Sequence, residues 1–372
     1  MLFDSVKLAH ASNPTNDSER LVFRELFQTL IYIDCHGAVR PGLARSWIPD
    51  QSRRTWTFSL RDDVSSVETP PAAVDVVSTW RARTQELKAS GIESVAALVD
   101  GRLVVTMATA ADSVPRIFAD PMLGVAHNRG SILGRDDRFL IVRPHPAAKP
   151  VEFRVEPGSN PRDALDGEAD LLISRDPSVV EYASGRPEFR TIHLPWSRTY
   201  ILVQPFRTDP VRTLIASDSV GQSLARDAVP ADARPAQPPF WWEQVSSCPP
   251  RPITTAIPPS SSRIVYPFGD RVAQGLAERI VALTSGDTPV SAAALPSAQL
   301  AAAIRARSER GYVLPVPART LAPCRVMSGW PADASIHPLI ETRASAIVRR
   351  GSPTMAVDWD GTVRLLDPGP QE

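Results

Sequence analysis

Lysine, cysteine and long apolar runs are scarce in this 372-residue chain. Lysine occurs only at Lys7, Lys88 and Lys149, and the 41 basic residues balance 41 acidic ones. A chain with no net charge and no basic block offers no electrostatic footprint for nucleic acid, so we expect no nucleic-acid partner. No apolar run reaches the roughly 18 residues that a membrane-spanning helix requires, so we expect none.

Motifs for metal binding and catalysis are also missing. Cys35, Cys248 and Cys324 lack metal-ligand spacing, and the six histidines stand singly along the chain. The sequence contains no GxSxG, HExxH, P-loop, GxGxxG or CxxC motif. Asp358 and Asp360 in DWDGT resemble the start of a calcium loop, but the remaining ligands are absent and a hairpin turn explains the motif better. We therefore expect no metal, no cofactor and no enzymatic activity.

What the chain does have is an alternation of helix and strand patterns. Asn16 followed by Glu19 resembles a capping box and predicts a helix from Asp17 to Leu30. The stretch RTWTFSLR alternates apolar and polar residues, which predicts a half-buried strand. Asp-Gly pairs in ALVDGRLVV and VDWDGTVRL predict two hairpins. After Pro150 helices and strands alternate, so the predicted class is α/β with added hairpins.

One long segment has a distinctive combination of motifs. The segment ERLVFRELFQTLIYIDCHGAVRPGLARSWIPDQSRRTWTFSLRDDV resembles the N-terminal signature of the family 5 solute-binding proteins, the peptide, nickel and oligosaccharide receptors of ABC importers. The resemblance rests on Thr29-Leu30, on the block Pro41 to Trp47, on the strand Trp56 to Arg61, on Thr69-Pro70 and on the helix Asp75 to Trp80. GEADLLIS, DPVRTLIASD and RIVYPFGDRVAQGLAERIVAL extend it in the same order, so it covers most of the chain.

The resemblance implies a two-lobed periplasmic-binding-protein-like fold of type II, with an extra small domain on lobe I. Lobe I would comprise residues 1–45, 150–206 and 340–372, the small domain residues 46–149, and lobe II residues 207–339. The ligand would bind in a cleft between lobes that are joined by hinge strands such as RTYILVQP. Trp47 and Trp56 are expected to pack at the base of the small domain rather than to contact ligand.

The function implied by the resemblance is capture of a peptide or similar small ligand and its delivery to the permease of an ABC importer. Such a receptor would be a monomer, peripheral to the membrane, in the periplasm or at the cell surface. The first 20 residues show no basic start followed by an apolar stretch, so a signal peptide would have been removed. If the start is native, the protein would be cytoplasmic.

Polar and aromatic residues at strand ends are the candidates for ligand contact in such a cleft. They are Ser12, Asn13, Ser174, Arg175, Asp176, Trp196, Arg198, Tyr200 and Arg319. Arg198 ranks first, because strand alternation puts it on the same face as Tyr200 and because a guanidinium suits a carboxylate. Arg175 ranks lower, because Asp176 could pair with it without any ligand.

The chain departs from the family pattern, and the departures leave the ligand open. It is shorter than usual members, a late ligand loop is replaced by LPVPARTLAPC, and Gln204 stands where the hinge strand usually ends in Asn. Two alternative functions also stay open: the sensing domain of a regulator of the same fold, although no DNA-binding module is visible, and an orphan receptor that presents its ligand to a chemoreceptor or an enzyme. In an exported protein, Cys248 and Cys324 would form a disulfide and Cys35 would be free and buried.

Overall fold

Two compact units make up the chain in the computed structural model. Unit 1 comprises Met1–Ile173, Ala183–Arg190 and Ile347–Glu372, and unit 2 comprises Ser174–Tyr182 and Thr191–Ala346. The structure describes all residues except 5, 9–13, 15, 62–71, 127–130, 137, 144–148, 206–228, 244–261, 284–288, 328–329, 331–333, 353–354 and 366–372. The boundaries predicted for two lobes and a small domain remain a prediction.

The described helices are short. They are Asp17–Leu26, Ala73–Arg81, Thr84–Ala89, Pro161–Asp166, Pro177–Ser184, Arg271–Leu283, Ser297–Ala306 and Pro323–Met327. None of them has the length and apolar character needed to cross a membrane. The chain contains both helices and sheets, in agreement with the predicted α/β class, and helices alternate with strands mainly after residue 160.

Unit 1 contains several small sheets. Its strands are β1 (Phe27–Gln28), β2 (Ile31–Ile33), β3 (Val39–Pro41), β4 (Ala44–Pro49), β5 (Thr55–Leu60), β6 (Ile92–Ala97), β7 (Leu103–Met107), β8 (Val125–Ala126), β9 (Ser131–Arg135), β10 (Phe139–Arg143), β11 (Val151–Arg154), β21 (Met355–Val357) and β22 (Val363–Leu365). The four-stranded sheet has the order β4-β5-β7-β6, and a three-stranded sheet has the order β11-β10-β9. Both predicted Asp-Gly hairpins are present, as the pairs β6–β7 and β21–β22.

The alternating strand RTWTFSLR packs its apolar side inward, as predicted. Trp56 and Phe58 on β5 are buried, whereas Trp47 on β4 is half-buried. The helix Ala73–Arg81 covers this region with Trp80, whose indole nitrogen donates to the Leu123 carbonyl oxygen at 3.0 Å. Trp80 is fully buried, so this hydrogen bond satisfies an indole N–H that would otherwise be buried without a partner.

The PGLA block depends on its glycine because two backbone segments approach closely. The Gly42 and Leu43 amides donate to the carbonyl oxygens of Leu30 and Thr29, at 3.1 and 2.9 Å. A Cβ atom at position 42 would lie 2.3 Å from the Thr29 oxygen, far inside van der Waals contact. Only glycine therefore fits where the chain folds back on the end of β1.

The N-terminal helix is shorter than the sequence pattern predicts. Asn16 caps it by accepting a hydrogen bond from the Glu19 amide at 2.8 Å, which is the predicted cap. The helix nevertheless ends at Leu26, not at Leu30, because Phe27 adopts an extended conformation and begins β1. Apolar spacing continues past the end of the helix since these residues are also buried in strands, and spacing alone does not separate the two cases.

Unit 2 is organised around one six-stranded sheet. Its strands are β14 (Arg198–Gln204), β15 (Asp232–Pro235), β16 (Arg263–Pro267), β17 (Ser291–Leu295), β18 (Gly311–Pro317) and β19 (Ser335–Arg343), in the order β15-β19-β14-β18-β16-β17. β14 is antiparallel to both β18 and β19, and β16 is parallel to both β17 and β18. The central strand β14 is buried along nearly all its length, which accounts for its apolar run YILV.

Each face of this sheet carries its own core. One face packs Tyr200 and Leu202 against the helix Arg271–Leu283. The other packs Ile201 and Val203 against the helix Ser297–Ala306 and against the aromatic side chains Phe240, Trp242 and Trp330. A further sheet has the order β12 (Leu171–Ser174), β20 (Ser345–Arg349) and β13 (Phe189–His193), and in each of its strands the chain passes from one unit to the other.

The cysteines agree with the predicted redox pattern in part. Cys324 is disulfide-bonded, and Cys35 is free. Cys248, the predicted partner of Cys324, lies outside the described residues. The prediction that Cys35 is buried is wrong: it is exposed, because it occupies the turn between β2 and β3 rather than either strand.

We expect Gly42→Ala to lower the free energy of unfolding by about 3 kcal/mol or more, because the new methyl group would overlap backbone atoms that have no freedom to move away. Urea denaturation followed by circular dichroism measures the loss. Gly167→Ala is the control, since a Cβ there would meet its nearest atom at an ordinary 3.5 Å. Equal stability of the two variants would contradict the close approach at Gly42.

Native, unreduced protein should react with a maleimide at Cys35 alone, because that thiol is free and exposed while Cys324 is bonded. Mass spectrometry of proteolytic fragments identifies the labelled residue, and labelling after reduction in urea gives the total of three thiols. Labelling of Cys324 before reduction, or protection of Cys35, would contradict this arrangement.

Candidate functional site

Strand ends gather polar side chains at one edge of the unit 2 sheet. Since β14 runs antiparallel to β18, its first residue Arg198 pairs with the last residue of β18, Pro317. Arg198 also pairs with Thr342 near the end of β19, and β16 ends at Pro267 on the same side. We call this the Arg198 edge: the starts of β14 and β15 and the ends of β16, β17, β18 and β19.

A buried tyrosine connects the Arg198 edge to a helix. The Tyr200 hydroxyl lies 3.1 Å from both carboxylate oxygens of Asp270 and donates to that group. Burial raises the pKa of Tyr200 to about 12 and Asp270 pushes it the same way, although Arg198, which hydrogen-bonds the hydroxyl, and Arg175 oppose the rise. Tyr200 therefore stays protonated at physiological pH, and its hydroxyl accepts from Arg198 while donating to Asp270.

Asp270 is held in place by the turn and the helix on either side of it. Its amide donates to the Pro267 carbonyl oxygen at 3.2 Å, which closes a turn at the end of β16. Its carboxylate accepts from the amides of Val272 and Ala273, at 3.1 and 3.0 Å, in the manner of a helix N-cap. One carboxylate thus starts the helix Arg271–Leu283 and orients the Tyr200 hydroxyl.

Arg175 reaches the same region from the end of β12. Its guanidinium donates to the Ser197 hydroxyl at 3.4 Å, and its charge acts on Tyr200. Ser197 is fixed by backbone hydrogen bonds, since it donates to the Thr342 carbonyl oxygen and accepts from the Ala318 amide. The structure therefore brings together three of the predicted residues, Arg175, Arg198 and Tyr200.

Ser174 and Asp176 form the turn between β12 and the helix Pro177–Ser184. The Ser174 hydroxyl accepts from the Asp176 amide at 3.1 Å, and the Asp176 carboxylate accepts from the Ser178 amide at 2.9 Å. These hydrogen bonds cap the helix, so both side chains have a structural role that requires no ligand.

Trp196 belongs to a neighbouring charged cluster. The guanidinium groups of Arg234 and Arg343 lie over its ring, with their central carbon atoms 4.5 and 4.8 Å from the ring centre. Arg234 pairs with Glu341 and Arg343 with Asp232, each at 2.6 Å. The Trp196 ring is thus covered by two arginines, and each arginine is paired with an acidic side chain. This arrangement favours a structural role for Trp196 over ligand contact.

The remaining predicted residues are not part of this constellation. Ser12 and Asn13 lie outside the described residues, and Arg319 is exposed in the segment that follows β18. Sequence reasoning missed Asp270 and Ser197. The signal for Asp270 was an aspartate directly before an amphipathic helix, which predicts a cap but does not identify Tyr200 as a partner 70 residues away.

The chemistry available at the Arg198 edge is that of anion binding. Two guanidinium groups supply positive charge and hydrogen-bond donors, whereas the single proton of the Tyr200 hydroxyl is donated to Asp270. Within the described ranges, no group of three or more His, Cys, Asp or Glu side chains is arranged to hold a metal ion. A planar guanidinium beside a fixed tyrosine suits a carboxylate.

Asp270→Ala should lower the free energy of unfolding by about 1 to 3 kcal/mol, because it removes a helix cap and the acceptor of a buried hydroxyl. Asp270→Asn keeps an oxygen that can accept from the same amides, so a smaller loss is expected. Urea denaturation gives both values, and Tyr200→Phe in each background completes a double-mutant cycle. Additive effects of Tyr200→Phe and Asp270→Ala would contradict the link between these residues.

Comparison with known proteins finds local sequence similarity to two receptors of Escherichia coli K12. The periplasmic murein peptide-binding protein MppA is 32% identical over 91 residues, which are 22% of this chain and 17% of MppA. The periplasmic oligopeptide-binding protein OppA is 39% identical over 64 residues, 17% of this chain and 12% of OppA. The matches thus span less than a fifth of either relative. No family model matches the chain.

Solved structures match the whole fold at low identity. The dipeptide-binding protein of Pseudoalteromonas sp. SM9913, in complex with Met-Leu, superposes with a TM-score of 0.70 at 13% identity over 95% of this chain and 96% of its own. NikA from Brucella suis, in complex with Fe(III)-EDTA, superposes with a TM-score of 0.69 at 14% identity over 94% of both chains.

Three of the four similar proteins, MppA, OppA and the dipeptide-binding protein, are named as binding proteins. They also support the resemblance that the sequence motifs indicated. The chain thus has the α/β fold of these two solved structures, which is the periplasmic-binding-protein-like fold that the sequence motifs implied.

Proposed function

We propose that this protein is a solute-binding receptor that captures a peptide or similar small ligand and delivers it to an ABC importer. One observation carries the ligand-binding part: Arg198, Arg175 and the Tyr200 hydroxyl meet at one edge of the unit 2 sheet. The fold and the local similarity to peptide receptors support the transport part.

Arg198 is the residue that we propose for an anionic ligand group. It begins the central strand, so its backbone is fixed on both sides by β18 and β19. Its neighbour Tyr200 holds one hydroxyl orientation, because the hydroxyl donates a hydrogen bond to Asp270. A site whose donors are fixed before binding loses little entropy when the ligand arrives, and this favours affinity.

Arg175 has a supporting place in the proposal. It donates to Ser197, the residue directly before Arg198, and its charge adds to the positive potential at this edge. The negative charges of Asp270 and Asp176 balance that potential in part. Both carboxylates accept hydrogen bonds from backbone amides at the start of a helix. Arg198 and Arg175 therefore supply the positive charge that we propose attracts a ligand carboxylate to this edge.

A periplasmic location belongs to the same proposal. MppA and OppA are both named as periplasmic proteins, and this chain shares local sequence with each. Fractionation of the source cells by osmotic shock tests the location. Release with the periplasmic fraction is expected, and retention with a cytoplasmic marker enzyme would favour a sensing role inside the cell.

Replacing Arg198 with Ala should weaken binding of a carboxylate ligand by about 2 to 5 kcal/mol, the usual loss when one partner of a buried charged contact is truncated. A thermal-shift screen of di- to pentapeptides identifies a probe, which should stabilise the protein by about 2.7 kcal/mol at a hundredfold excess over its dissociation constant. Titration calorimetry then compares the wild type with Arg198→Ala.

The control variant is Arg305→Ala, because Arg305 is an exposed arginine on the helix Ser297–Ala306 of the same unit. It should bind as the wild type does. Unchanged affinity in Arg198→Ala, with an intact circular dichroism spectrum, would remove Arg198 from the site. Steady product formation from a bound peptide would contradict the receptor function itself.

A further inference from the structure

Phe268 is an apolar side chain that unit 2 leaves in solvent. It is 77% exposed, directly after the end of β16. The other large apolar residues that are exposed within the described ranges all belong to unit 1: Ile48, Val74, Leu98, Val99, Ile132 and Leu133. Single exposed apolar residues are common on proteins, so exposure alone assigns no role to Phe268. The argument for a ligand contact comes from its position.

The turn that carries Phe268 is fixed on both sides. The Phe268 amide donates to the carbonyl oxygen of Leu295 at 2.9 Å, and the Asp270 amide closes the turn on Pro267. Gly269 has a φ of +86°, which glycine adopts without strain. The backbone here needs the glycine and the aspartate, but nothing in these contacts requires an aromatic side chain at position 268.

The same turn lies beside the proposed anion site. Asp270, two residues after Phe268, contacts the Tyr200 hydroxyl, and that hydroxyl contacts Arg198. In the sheet order, β18 alone separates β16 from β14. Neighbouring strands are about 4.8 Å apart, so the strand that precedes Phe268 and the strand that begins with Arg198 are about 10 Å apart.

We propose that Phe268 is a specificity-determining residue that contacts an apolar group of the ligand about 10 Å from the anionic group held at Arg198. An extended peptide advances about 3.3 Å per residue, so this distance corresponds to about three residues. The favoured class is therefore a short peptide, or a molecule of similar length, with an apolar group two or three residues before its terminal carboxylate. This inference rests on the function proposed above.

Five N-acetylated tetrapeptides test the inference, because the terminal carboxylate is then their only charge. They are Gly-Gly-Gly-Gly and the four peptides in which one glycine is replaced by leucine. Calorimetry on the wild type should find the tightest binding when leucine is first or second in the peptide, by about tenfold over tetraglycine. Leucine at the last position should add little.

Two variants of Phe268 distinguish a ligand contact from a structural effect. Phe268→Ser should abolish the preference for leucine position while tetraglycine binds as before, whereas Phe268→Leu should keep most of the preference. Ile48→Ser, at an exposed apolar position of unit 1, is the control and should change neither value.

The outcomes separate the two proposals. If the leucine preference survives in Phe268→Ser, the role of Phe268 is overturned and Arg198 keeps its place. The same holds if the wild type binds all five peptides with equal affinity and Arg198→Ala binds none of them. Failure of the wild type to bind any of the five peptides would overturn this inference together with the peptide ligand that it assumes.

Discussion

The hydrogen bond between Tyr200 and Asp270 links the core of unit 2 to its candidate site. Tyr200 packs in the core beneath the helix Arg271–Leu283, and a buried hydroxyl without a partner would cost about 1 to 3 kcal/mol. Asp270 satisfies that hydroxyl and also caps the helix. The packing of sheet against helix and the orientation of the Tyr200 hydroxyl beside Arg198 therefore depend on one carboxylate.

Several acidic side chains at this edge already bind protein groups. Asp270 and Asp176 accept helix amides, and Asp232 and Glu341 pair with the arginines over Trp196. The three aspartates and the glutamate thus form hydrogen bonds or ion pairs within unit 2. In the strand order, Arg198 lies between this charged cluster and the turn that carries the exposed Phe268.

Local features of the fold could be predicted from the sequence, since they depend on residues close together in the chain. The Asn16 cap, the two Asp-Gly hairpins and the alternation that puts Arg198 beside Tyr200 are of this kind. The end of the first helix at Leu26 was missed because buried strand residues prolong the apolar pattern.

The rest of the site required the fold. Asp270 reaches Tyr200 only because β18 places β16 and β14 two strands apart, and Trp196 meets Arg234 and Arg343 only because β15 and β19 pair. Contacts between residues so far apart in the chain produce no periodic pattern in the sequence. The motifs that identified the fold, by contrast, were local: the PGLA block needs glycine where Gly42 approaches the Thr29 carbonyl.

The central claim is that the Arg198 edge holds an anionic ligand group. A crystal structure of the protein with its tightest-binding peptide tests this most directly. The account predicts the terminal carboxylate within about 3 Å of the Arg198 guanidinium, at the distance of a charge-assisted hydrogen bond. A carboxylate bound elsewhere, with Arg198 directed only at protein groups, would contradict it.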